Sequence, residues 1–146
     1  MPLYELDDRS ITGHAEIDRM HIEIAQLSQI LTERIKTQSD FGEIRDVFLQ
    51  LQATLREHFD LEERHILALP QNDEVRTHLR KHVENHNQFR DLLTYGEQQF
   101  ERHRATGKVP NVLGLIPKEY FEELKNIDRE LGQLFAKYDY EQSRPT

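Results

Sequence analysis

The sequence predicts an all-α fold: an up-down-up-down antiparallel four-helix bundle forming a single domain over residues 1–146, with its functional site in the core. Three observations lead there. Apolar residues recur at spacings of three and four over long stretches, which is the period of one helix face. Four such stretches are separated by polar, proline- or glycine-containing breaks. Long helices joined by short connections pack most economically as antiparallel neighbours. Composition agrees, since 36% hydrophobic and 32% charged residues suit a small soluble helical protein.

The first helix is expected over about 15–36, with Ile17, Met20, His21, Ile24, Leu27, Leu31 and Ile35 on its inner stripe. The polar run Thr37 to Gly42 ends it. The second, about 43–69, places Ile44, Phe48, Leu51, Leu55, His58, Glu62, Ile66 and Leu69 on one face and stops at Pro70. The third, about 73–104, carries Val75, Leu79, His82, His86, Phe89 and Leu93 inward. After a connection containing Gly107, Pro110, Gly114 and Pro117, the fourth spans about 118–138, with Phe121, Leu124, Asp128, Leu131 and Phe135 facing in.

Several function classes are disfavoured by composition. The formal net charge is −8, with 19 basic residues dispersed among 27 acidic ones, so neither nucleic acid nor an anionic membrane is an expected partner. No apolar run approaches the roughly 20 residues needed to span a bilayer. The segment Met1 to Ser10 is acidic rather than basic-then-apolar, so no signal peptide is expected and a cytoplasmic location follows. Net charge favours a monomer. Cysteine is absent, which removes disulfides, thiolate catalysis and iron–sulfur ligation, and any transition metal must be held by His, Asp and Glu.

Polar residues interrupt every inner stripe. His58 and Glu62 stand four residues apart, hence on one helix face, as do His82 and His86. A lone histidine on an apolar face is usually a hydrogen-bonded core residue. An inward carboxylate costs several kcal/mol unless it is paired or bound to metal. Four histidines and two carboxylates at one level of a bundle therefore point to a metal centre. His78 leaves the third helix ambiguous, because His78, His82 and His86 share a face and either adjacent pair could ligate.

Together, Ile17-Asp18-Arg19-Met20-His21, His58-Phe59-x-x-Glu62-Glu63 and His82-x-x-x-His86-x-x-Phe89 resemble the hemerythrin and bacteriohemerythrin family over nearly the whole chain. The resemblance implies a four-helix bundle around two bridged non-haem iron ions that bind dioxygen for carriage, storage or sensing. It assigns His21 and His58 to one iron, His82 and His86 to the other, and Glu62 and Asp128 to both as bridges. Where the family has its last histidine, five residues before Asp128, this chain has Glu123. If Glu123 ligates, the site gains a negative charge and anionic oxygen donors favour the ferric state; Glu123 facing solvent, with a water-filled position on the iron, is the other reading. The extra carboxylate also keeps alive a di-iron redox enzyme, reducing peroxide or nitric oxide or oxidising ferrous iron. A metal-responsive interaction module is a third class.

The neighbours divide similarly. Glu63 is expected outward or as acceptor of a ligand's ring N–H. His14 and His103 read as surface residues, His65 as an exposed residue near the helix end or a partner one turn beyond Glu62, and Tyr120 and Phe121 as core beside the metals.

Overall fold

The computed structural model describes residues 11–138, and of residues 125–128 the backbone alone. The expectation for Met1 to Ser10 lies outside the described residues. Four helices account for the described regular structure: α1 Ala15–Lys36, α2 Phe41–Leu67, α3 Asp73–Arg102 and α4 Val112–Lys137. Each packs on its neighbour in sequence, and α4 also meets α1. No helix among the described residues is long and apolar enough to cross a membrane.

Local chemistry sets the helix starts. The Asp40 side chain accepts the Gly42 N–H, and Asn72 Oδ1 accepts the Val75 N–H at 2.9 Å, so α2 and α3 begin on side-chain caps. α1 begins on His14, whose Nδ1 accepts from the Ile17 N–H at 3.4 Å. Ahead of it, the Asp18 carboxylate accepts the Thr12 N–H at 2.8 Å, the Thr12 hydroxyl at 2.8 Å and the Gly13 N–H at 3.1 Å. Residues 12 and 13 are thereby tied back across the end of α1, and Gly132 of α4 leaves room for them: a Cβ there would meet Ile11 O at 3.1 Å.

α4 departs most from expectation. It begins at Val112, six residues before the expected Lys118, and Pro117 lies inside it. Proline removes a backbone donor and crowds the preceding turn. Packing outweighs that cost, because Leu113 and Ile116 are fully buried in the core. The Ile116 side chain comes near Gly96 of α3, where a Cβ would stand 2.9 Å from Phe48 Cζ and 3.7 Å from Ile116 Cδ1. Smaller differences are that α2 begins at Phe41 and ends at Leu67, and α3 ends at Arg102.

The apolar core is divided. One part gathers Ile24, Leu31, Phe48, Leu51, Leu55 and Phe100 with the start of α4; the other gathers Ile17, Met20, Ile66, Val75, Leu131 and Phe135. The residues separating them along α1, α2 and α3 are the histidines and Glu62.

Candidate metal centre

α2 supplies the middle of this layer. His58 and Glu62, one turn apart, are each 1% exposed, and His58 Nε2 touches Glu62 Oε1. From α1, His21 brings its Nε2 to 3.2 Å from His58 Nε2 and 3.8 Å from Glu62 Oε1. From α3, His82 Nδ1 lies 3.1 Å and His86 Nε2 3.8 Å from the other oxygen, Glu62 Oε2. His82 Nδ1 and His86 Nε2 are themselves 3.4 Å apart.

Two groups result, His21–His58–Glu62 and Glu62–His82–His86, all members buried and each offering ligand atoms within 4.8 Å of one another. Glu62 belongs to both. Each half is a pair of imidazole nitrogens and one carboxylate oxygen, the borderline donor set that divalent first-row metals accept.

The arrangement is poorly satisfied by protons alone. A neutral imidazole has one N–H and one lone pair, so of the His21 and His58 Nε2 atoms, 3.2 Å apart beside Glu62 Oε1, only one can carry the proton of their contact. Glu62 Oε2, despite its neighbours, has no hydrogen-bond donor directed at it among the described residues. Burial pushes the Glu62 carboxyl up, but His58, with His21 and His82, outweighs burial and holds it well below the usual carboxylate range. The layer therefore holds a buried carboxylate among imidazole nitrogens, a donor set that a cation can complete.

Behind His86 stands a polar relay. Glu63 is half-buried, and its Oε2 accepts from His86 Nδ1 at 2.7 Å. Arg90 Nη2 donates to the same oxygen at 2.7 Å and to Asp60 Oδ1 at 2.9 Å. The proton is thus held on Nδ1 and the Nε2 lone pair is turned to the centre. Burial pushes the His86 imidazole below its ordinary value, partly offset by Glu63 and Glu62. Burial opposes, and the His86 and Arg90 contacts overcome it, in holding Glu63 below its ordinary value. Arg90 was not singled out by the sequence reading; its position one turn after His86 is the signal that points to it.

The remaining expected residues divide. Glu123 of α4 is half-buried and lines a cavity of about 10 Å³ with Phe59, Glu62, Asn85, His86 and Tyr120, yet it belongs to neither three-residue group. Asp128 lies outside the described side chains. His78 is buried, one turn from His82 with ring centroids 4.5 Å apart, and is also outside both groups. His65 is half-buried against His14, ring centroids 4.0 Å apart, rather than beside Glu62. Phe59 stacks on His86 at 4.4 Å and 20°, and Tyr120 is buried edge-on to His58. No protein-family model, curated protein or solved structure matches the chain.

Proposed function

We propose that this chain is a hemerythrin-like protein whose helices form an up-down-up-down four-helix bundle around two iron ions, and that it binds dioxygen. The observation that carries the reading is Glu62, fully buried and shared between two pairs of buried histidines. His21, His58 and Glu62 would hold one ion; Glu62, His82 and His86 the other, with Glu123 and Asp128 completing the set. A bridged ferrous pair supplies two electrons and an open coordination position to a small diatomic ligand.

The protein's own contribution is shape and proton placement. The cavity of about 10 Å³ beside Glu62 and His86 has room for about one water-sized guest. Phe59, Tyr120 and Leu124 give part of its wall buried rings and aliphatic carbon. Glu63 keeps the His86 proton on the outer nitrogen. No charged donor other than the imidazoles faces Glu62 among the described residues, which suits binding without turnover.

A second reading, a di-iron redox enzyme for peroxide, nitric oxide or ferrous iron, is favoured by Glu123 on the cavity wall, because carboxylate-rich centres stabilise the ferric state. Air exposure of reduced, iron-loaded protein separates the two. Reversible binding gives a visible absorption band that vanishes on deoxygenation; prompt bleaching to a stable ferric species supports the enzyme. Protein that takes up no iron after reduction and chelator stripping overturns both.

A further inference from the structure

α3 carries a third buried histidine that neither ligand group uses. His78 is 5% exposed, and its two nitrogens face different surroundings. Nδ1 lies 3.5 Å from the Glu130 carboxylate of α4, which is half-exposed. Nε2 is buried with no hydrogen-bond partner among the described residues. A structural core histidine normally has both nitrogens satisfied, and an unsatisfied buried one costs about 1–3 kcal/mol. His78 also lines an open groove of about 670 Å³ between α3 and α4, where it is the buried titratable member of the wall.

The charges of that groove are sorted. Lys137 of the groove donates to Glu74 at 2.5 Å and Asp73 accepts from Arg76 at 3.3 Å; Lys81 also lines the groove, and the carboxylate turned towards His78 is Glu130. On its inner side the His78 ring lies against His82, with centroids 4.5 Å apart. One imidazole thus spans the distance between the groove and a histidine of the centre. One nitrogen and one carboxylate hold a first-row divalent ion weakly, and weak binding suits an ion in transit.

We propose that His78 and Glu130 form an entry site through which a divalent transition-metal ion passes from the α3–α4 groove to the centre at His82. The proposal rests on the metal-centre reading above. It differs from His78 being a permanent ligand, because the site acts on the rate of loading and not on the loaded state.

Cobalt(II) uptake by metal-free protein tests it, followed by stopped-flow growth of the visible cobalt absorption, with the final stoichiometry measured separately. His78→Phe is expected to slow uptake about tenfold, and Glu130→Gln several-fold, through loss of a ligand and of local cation attraction. The end-point spectrum and two-ion stoichiometry stay those of the parent. Unchanged rates in both variants overturn the entry site, as does an altered end-point spectrum in His78→Phe. Should His78→Phe fail to fold, Glu130→Gln decides alone, since Glu130 is half-exposed. A parent protein that takes up no cobalt overturns the metal-centre reading itself, which separates that failure from this one.

Discussion

Glu62 carries more of the site than any other residue, since it is the member common to both ligand groups. Glu62→Gln keeps the shape and removes the charge, so the helix content should persist while the two-ion affinity falls by about a hundredfold or more. Cobalt titration with far-ultraviolet circular dichroism checks it; two ions bound as tightly as in the parent would falsify the shared-carboxylate reading. Glu123→His removes one negative charge from the cavity wall, which favours the ferrous state. The air-formed visible band should therefore last longer, and an equal or shorter lifetime sinks the assignment of Glu123. The i, i+4 pairs were legible in the sequence because a helix imposes their common face. Glu63 was legible as one of two alternatives, and the structure selects the acceptor of the His86 N–H. Arg90 was not, because its role depends on which face of α2 lies opposite α3.

At the scale of elements, stripe periodicity located all four helices and missed where α4 begins. Gly114 and Pro117 read locally as a connection, and only the burial of Leu113 and Ile116 against α2 and α3 holds that turn helical. Such a tertiary override of local preference leaves no trace in a residue-by-residue reading. The same junction supplies a prediction. Alanine improves helix propensity over glycine by about 1 kcal/mol. At Gly96, however, the new methyl would stand 2.9 Å from Phe48 Cζ, and Phe48 is fully buried. Overpacking of this kind costs about 1–3 kcal/mol, so Gly96→Ala should lower stability by about 1–2 kcal/mol in urea unfolding. A raised midpoint would show that the α2–α3–α4 junction is looser than these distances imply.

Across the whole molecule, a polar layer between two apolar cores links stability to pH. That layer was foreseeable from interrupted stripes, whereas the α3–α4 groove was not, since it depends on how two helix faces splay. In metal-free protein, burial pushes the His78 imidazole from 6.5 down to about 3, assisted by His82. Between those values the unfolded chain takes up a proton that the folded chain refuses, so stability is full above about 6.5 and is lost as pH falls. Glu62 and Glu63, both held below their ordinary 4.5, act in the same direction: their contribution is present above that value and lost beneath it. Relief of repulsion within a chain of net charge −8 works the other way as carboxylates protonate. Those charges are spread over the surface, and at 0.15 M salt a screening length of about 8 Å leaves the buried groups dominant. The urea midpoint of metal-free protein should therefore decline steadily from pH 7 to pH 4, and His78→Phe should flatten its upper part between pH 6.5 and 5. A midpoint constant over that range in the parent would mean that His78 is protonated in the folded state. Bound metal should oppose the decline, adding about 2.7 kcal/mol at a hundredfold excess over its dissociation constant, until protons displace it from the imidazoles.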